Sequence, residues 1–311
     1  MFRSNQSFMN NNSAPLVSVC IPCYKHAELL KRCVQSVLSQ SYSNFEIIIT
    51  DDSPSNEIKD LVNSRFEDCR VRYIKNPEAL GSPGNWNAGL EQAKGEYIKI
   101  MHHDDWFATK DSLERFVNTA LATGSDFVCS NCYNVGPTVS KKHSILNRFR
   151  YKWARDKKLI LFANYVGNPS TIFYKRIGNE SLYFDTKSVW FVDVLFYYEF
   201  MNRSPKIAYI NQYLLNTAAG MASQVTNSMI DAKVVLKEFL YVSHKHDLNK
   251  DHSFLTRLTL FEIMKRYKIR SRRELEDILG EAYDYYLPYG LLKLPIHYQI
   301  FNAFKHFLIL V

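Results

Sequence analysis

The sequence carries neither of the glycine arrangements that usually cradle a phosphate. A dinucleotide fold sets GxGxxG after its first strand, and a phosphate loop sets GxxxxGK[ST] before a helix. Here the first strand-like run, VSVCIP, passes into PCYKHAE with no glycine at all. Also missing is any apolar run of the roughly 18–20 residues that a membrane-spanning helix needs. The stretch MFRSNQSFMNNNSAP lacks the apolar core of a signal peptide, and residues 1–14 read as a loose polar tail. These absences give the expectation of a cytoplasmic protein. Acid is the minority charge: 31 Asp and Glu against 39 Lys and Arg leave a net charge of +8 and a pI near 9.0. An anionic partner is implied, whether nucleic acid, an acidic membrane face or a phosphorylated substrate.

Six cysteines include two CxxC pairs, Cys20/Cys23 and Cys129/Cys132. The spacing suggests zinc. Both pairs lie in strand-like runs, where residues three apart point to opposite faces, so neither pair converges on one ion. Reduced, buried thiols fit better. The chain has 311 residues, 46% hydrophobic, with 20 Tyr and 20 Phe. That is enough for a substantial core and argues against long disorder.

The first half alternates. Runs at 16–22, 45–50, 71–76, 95–101 and 126–135 read as strands; 27–40, 55–66, 84–95 and 110–124 have helical spacing. Alternation with short loops predicts an α/β fold whose sheet is mostly parallel and covered by helices on both faces. Ligands bind beyond the carboxyl ends of such strands. Three of those ends are unusual: Pro22-Cys23-Tyr24, Asp51-Asp52-Ser53 and His102-His103-Asp104-Asp105. Neighbouring carboxylates repel and persist only where water, a cation or donors compensate them. With no glycine cradle, a divalent cation held by carboxylates can neutralise a nucleotide's phosphates, and oxygen ligands suit Mg²⁺ or Mn²⁺.

At this point a family resemblance enters. The stretches VSVCIPCYKHAELLKRCVQSVLSQSYSNFEIIITDDSPS and GNWNAGLEQAKGEYIKIMHHDDWF resemble the opening of the family 2 glycosyltransferases, with their GT-A fold. A weaker likeness continues through VGNPSTIFYKR (166–176) and WFVDVLFYYEF (190–200). The resemblance implies a hexosyl- or N-acetylhexosaminyltransferase that inverts the anomeric carbon of a nucleotide-diphospho-sugar donor. It implies a glycan or lipid-linked acceptor and a setting in bacterial surface-polysaccharide assembly. By position, Pro22 and Tyr24 border the base, Asp52 accepts a hydrogen bond from it, and Asn85 touches the sugar-phosphate cleft or caps a helix. Tyr24 and Asp52 suit uridine, with thymidine and guanosine as alternatives. Asp104 matches the metal-binding aspartate that ends the DxD motif, and Asp105 sits beside it as a second metal ligand. His102 stands where the motif has its first aspartate and could contact the ion or a diphosphate oxygen. Asp193, the acid in an apolar helical run, matches the general base; a helix-start or salt-bridge role is the alternative. Asp185 and Glu199 are substitutes. Asn168 and Ser170 resemble a loop on the acceptor side. NTAAGMASQ (216–224) lacks the Arg and His that relatives carry there, so it receives no site.

The expected organisation is a catalytic domain over 15–226, with a nucleotide-sugar half (15–135) and an acceptor half (136–226), then a helical appendage over 227–311. Basic runs at 141–158 and 265–273 are either solvated faces or contacts with an anionic membrane surface or a diphosphate-linked acceptor. In the last segment Ile296, Ile300, Phe304 and Phe307 share a helical face. That face suits a membrane interface, the protein body or a homodimer. The rival readings are a nucleic-acid binder, an HD-type phosphohydrolase and an inactive GT-A module. No zinc-finger, RRM or KH pattern supports the first, so no nucleic-acid partner is expected. HHDD follows a strand, which disfavours the second.

Overall fold

The runs richest in Ile and Val become the middle of the sheet. In the computed structural model β1 (Val17–Cys23), β2 (Phe45–Asp51), β3 (Val71–Lys75) and β4 (Tyr97–Ile100) pair in parallel, in the order β3-β2-β1-β4. The residues described are 14–137, 140–144, 156–177, 182–220, 231–280 and 297–310. The helices α1 (Ala27–Leu38), α2 (Glu57–Arg65) and α3 (Gly81–Glu91) connect these strands. Helix α3 begins earlier and ends earlier than the spacing predicts. Its exit tightens where the Gln92 and Ala93 amides donate to Gly89 and Leu90. Gly95 follows because the backbone is crowded: a Cβ there would lie 2.5 Å from the Ser18 nitrogen.

Beyond β4 the sheet becomes mixed. It continues through β8 (Ile172–Lys175), β6 (Phe127–Val135) and β9 (Ile207–Ala218) to the short β5 (Trp106–Phe107), with β7 (Ser140–His143) beside β6. Strand β8 is antiparallel to both β4 and β6, so β6 keeps the common direction without touching β4. The helix α4 (Ser112–Thr123) precedes β6, and α5 (Val192–Arg203) precedes β9. The C-terminal helices are α6 (Ala232–Lys245), α7 (Leu248–Asp251), α8 (Ser253–Arg266), α9 (Arg272–Leu279) and α10 (Tyr298–Leu310).

Alternate strand residues feed two cores. Val17, Val19, Ile47 and Phe173 meet α1, α2 and α4 on one face. Cys20, Ile48, Ile98 and Tyr174 meet α5 on the other, in a cluster that runs on through α6, α8 and α9. The C-terminal helices are therefore joined to the sheet through a shared core. The cysteine pairs divide as expected of strands: Cys20 and Cys129 face one core, Cys23 and Cys132 the other. On α10 the apolar face at Ile300, Phe304 and Phe307 is 46–60% exposed, while Phe301 packs edge-on to Phe261. No described helix is long and apolar enough to cross a membrane. The polar tail, most of the basic run at 141–158, residues 221–224 and Ile296 lie outside the described residues.

One buried cation ties the sheet to its later loops. Lys99 of β4 is fully buried against the rings of Phe107 and Phe116. Its ammonium donates to the carbonyls of Ser170 and Ile172. Burial lowers its pKa to about 7. Between about pH 7 and the unfolded value of 10.5 the folded chain binds fewer protons, so Lys99 makes stability rise with pH through that window. Lys99→Met should leave the two carbonyls unpaired at a cost of roughly 1–3 kcal/mol each. Urea midpoints at pH 6 and pH 9 check this: the deficit should be larger at pH 9.

Candidate active site

The carboxyl ends of β1, β2 and β4 open into one cavity of about 840 Å³. That volume lies within the roughly 300–1,000 Å³ of small-molecule sites. Pro22, Tyr24, Asp52, His102 and Asp104 line it from the sheet side, and Asp193 from α5. Thus most of the residues singled out in the sequence meet in one place, although they are spread over more than half the chain.

Each acidic pair divides its work between the cavity and the scaffold. Asp51 is buried, its carboxylate accepting from Tyr73 Oη (2.7 Å), Lys75 Nζ (3.1 Å) and the Ser53 amide (2.7 Å). Asp52 faces the cavity, yet both its oxygens are held, by Asn76 Nδ2 (2.6 Å) and the Gly81 amide (2.8 Å). Tyr24 is 48% exposed at the rim. Asn85 lies inside α3, so it is no helix cap. Its side-chain amide donates to the Cys23 carbonyl (3.1 Å) and its Oδ1 accepts from Asn76 (2.9 Å), so it lines the cavity while bracing the end of β1.

At β4 the order reverses: Asp104 faces the cavity and Asp105 is buried. Asp105 closes the turn through its amide to the His102 carbonyl (3.0 Å). Its carboxylate accepts from the Ala218 amide (2.8 Å) and Asn168 Nδ2 (3.0 Å). Burial first, then the neighbouring Asp104, raises its pKa to about 7. Ser170, expected on the acceptor side, does not reach the cavity. It is fully buried and accepts from the His102 amide (2.9 Å), because the turn over Pro169–Thr171 tucks it beneath the strand end. Asn168 does line the cavity, with its Oδ1 buried and unpartnered.

One ligand atom each from His102, Asp104 and Asp105 lies within 4.8 Å of the others. His102 packs against Trp86 with ring centroids 4.8 Å apart, and its buried Nε2 has no partner. Burial lowers its pKa to about 4, so the imidazole is neutral near pH 7 and has a lone pair to offer. Two carboxylates and a neutral imidazole fit a divalent cation. Asp105 serves first as a buried anchor, since its oxygens already accept from the chain. Arg32 of α1 fixes the turn from outside by donating to the Asp104 carbonyl (2.9 Å) while stacking 3.5 Å from the Trp106 ring centroid.

Asp193 sits in the first turn of α5 and lines the same cavity. Burial alone raises its pKa to about 7. The two substitutes are engaged elsewhere: Asp185 and Glu199 both bind Lys245 at 2.8 Å. Glu238 of α6, unmarked in the sequence, holds the loop leading into α5. Its carboxylate accepts from Ser188 Oγ (2.7 Å) and from the amides of Val189 (2.9 Å), Trp190 (2.7 Å) and Phe191 (3.1 Å). Trp86, Trp190, Thr259, Glu262, Arg266 and Lys305 also line the cavity without having been singled out. Arg266 lay within the basic run at 265–273. Trp86 and Trp190 fall in the stretches that resemble the family, while Thr259, Glu262 and Lys305 carried no signal beyond ordinary helical spacing.

The family model described as Glycosyl transferase family 2 matches residues 18–183, a little over half of the chain. A curated relative from Campylobacter jejuni, GalNAc(5)-diNAcBac-PP-undecaprenol beta-1,3-glucosyltransferase, is 27% identical over 57% of this chain. A second, from Escherichia coli, UDP-Glc:alpha-D-GlcNAc-diphosphoundecaprenol beta-1,3-glucosyltransferase WfaP, is 36% identical over 40% of it. These matches span 59% and 53% of the relatives' own lengths. Among solved structures, S. aureus TarS in complex with UDP-GlcNAc is 17% identical with a TM-score of 0.59, over 85% of this chain and 76% of that one. The mannosyltransferase PcManGT from Pyrobaculum calidifontis, in complex with GDP-Man and Mn²⁺, is 15% identical with a TM-score of 0.59, over 96% and 86%. The fold is therefore GT-A.

Glu238→Gln keeps an acceptor for the three bonds to Oε2 but sets an amide against the Val189 N–H. It should destabilise the chain by roughly 1–3 kcal/mol. Hydrogen exchange should quicken at the amides of 189–191 while α1 is unchanged.

Proposed function

The chain belongs to glycosyl transferase family 2, and on that premise we propose that it moves a sugar from a nucleotide-diphospho-sugar, UDP-sugar first, to a hydroxyl of a glycan or lipid-linked acceptor, with inversion. One observation carries the reading: a single cavity is lined both by His102 and Asp104 from the end of β4 and by the half-buried, high-pKa Asp193 from the start of α5. A displacement with inversion needs a group for the leaving diphosphate and a different one for the attacking hydroxyl. Pro22 and Tyr24 supply the base platform. Asp52, held by Asn76 and Gly81, supplies an acceptor already oriented for a base N–H.

His102 and Asp104, with Asp105 behind them, would hold Mn²⁺ or Mg²⁺. Such an ion, when bound, offsets negative charge on the departing diphosphate. Asp193 takes the proton of the attacking hydroxyl. The two relatives named above are, by name, glucosyltransferases acting on diphosphoundecaprenol-linked sugars, which supports a lipid-linked acceptor and a role in surface-polysaccharide assembly. The exposed stripe of Ile300, Phe304 and Phe307 supports placement against an anionic membrane surface on its cytoplasmic face, with a homodimer as the other occupant of that stripe.

Asp193→Asn should lower kcat by roughly 10²–10⁴ with donor affinity kept. Below pH 7 the wild-type base is protonated, so kcat should climb with pH and level off above about 7. Stability moves the other way. Asp193 is protonated in the folded chain up to about pH 7 but ionises near 3.8 when unfolded, so its ionisation costs stability as pH rises between those values. Asp193→Asn should therefore melt higher than wild type at pH 8 and close to it at pH 4.

Melting with UDP, dTDP, GDP or CMP, each with Mn²⁺, Mg²⁺ or EDTA, tests the donor end. A ligand at 100 times its Kd adds about 2.7 kcal/mol. One nucleotide should raise the melting temperature, and EDTA or Asp104→Ala should cancel the rise. No rise with any nucleotide would overturn the nucleotide-sugar donor.

A further inference from the structure

The cavity has a second end that the donor does not explain. Thr259, Glu262, Ile263 and Arg266 of α8 all line it, spaced three and four residues apart and so on one helical face. A helix face packed against a protein body is ordinarily apolar. Here only Ile263 is.

Each polar member of the stripe is placed for a ligand. Thr259 is 4% exposed, and its hydroxyl has no partner. A helical threonine usually bonds the carbonyl four residues back. Thr256 in the same helix does so, to His252 at 3.0 Å, whereas Thr259 does not. Glu262 forms an ion pair with Lys305 of α10 at 2.6 Å, and Lys305 is buried. Burying such a pair costs desolvation that its own attraction repays only with further hydrogen bonds. Arg266 is exposed and makes no ion pair among the described residues. Its guanidinium lies 5.2 Å from the Trp190 ring centroid, and Trp190 stands three residues before Asp193 in the loop that leads into α5.

We propose that this wall is an acceptor subsite for a saccharide carrying a phosphate or diphosphate ester. Thr259 and the Glu262–Lys305 pair meet the sugar hydroxyls in the buried part. Arg266 and the edge of Trp190 meet the ester at the mouth, where a guanidinium binds phosphate oxygens in pairs. The order of depth leaves whatever the phosphate is attached to outside. The inference rests on the transferase reading for the identity of the second substrate. The binding chemistry is its own, and a lipid diphosphate or a free glycosyl phosphate would present the same groups.

Equilibrium binding to the full chain tests it without needing turnover. The probes are hexose and N-acetylhexosamine 1-phosphates, the matching methyl glycosides, their farnesyl diphosphate conjugates, and inorganic phosphate. One 1-phosphate should bind about tenfold or more tightly than its methyl glycoside, the effect of one charge-assisted contact. Arg266→Gln, at an exposed position, should erase that ratio. Thr259→Val, close in shape, should weaken both glycosyl probes and leave inorganic phosphate alone. A farnesyl conjugate that binds tighter still identifies a lipid source, and equal binding a free ester. Equal affinity for methyl glycoside and 1-phosphate, a ratio unchanged in Arg266→Gln, or no binding by any probe would overturn the subsite. The UDP melting shift of wild type keeps the two readings apart. A shift with no phosphate preference removes only this subsite. No shift with a clear preference removes only the donor reading.

Discussion

Beneath the carboxyl end of β4 lie two ionisable groups out of reach of water, Lys99 and Asp105. A lone buried charge costs several kcal/mol, so each must find partners or lose its charge. The partners come from far along the chain: the carbonyls of Ser170 and Ile172 for Lys99, and Asn168 and Ala218 for Asp105. That requirement clamps the 168–172 turn and the end of β9 against β4. The cavity-facing residues His102, His103 and Asp104 stand between those two fixed points, and their orientation follows from the clamp.

The same logic resolves how two pairs of adjacent aspartates coexist. Asp51 and Asp105 turn inward to donors, while Asp52 and Asp104 face the cavity. Each pair thus sets one carboxylate among hydrogen-bond donors that offset the repulsion of its neighbour. The burial is unequal in its effect. Asp105 and Asp193 are both held near a pKa of 7, the first by burial and the neighbouring Asp104, the second by burial alone. Among the described residues Asp105 has chain donors and Asp193 has none, which fits the proposed role of Asp193 as the base.

The family match ends at residue 183, before Asp193, Glu238 and the whole of α8. The strand-end residues of the cavity lie inside the matched stretch, and those from α5 and α8 lie outside it. Glu238 ties the two together, since its carboxylate from α6 fixes the loop that delivers Trp190 and Asp193. The C-terminal helices are in this sense part of the site. They complete the core behind α5, and through Glu262, Arg266 and Lys305 they give the far wall its polarity.

The amino-acid sequence alone determined the parallel half of the sheet, its helices, the opposed faces of the CxxC pairs and the edge on which Pro22, Asp52 and Asp104 gather. These follow from periods of two and 3.6 residues and from strand-end chemistry, all set within about ten residues of chain. Tertiary structure decided which acid of each pair faces the cavity, that Ser170 braces the wall from behind it, and that the stripe from Thr259 to Arg266 looks inward. Those outcomes depend on contacts across 71 residues for Lys99 and Ser170, 113 for Asp105 and Ala218, and 48 for Glu238 and Trp190. A local pattern shows that a polar residue is present. Only the partner brought from far along the chain fixes whether it points at solvent, at the scaffold or at a ligand.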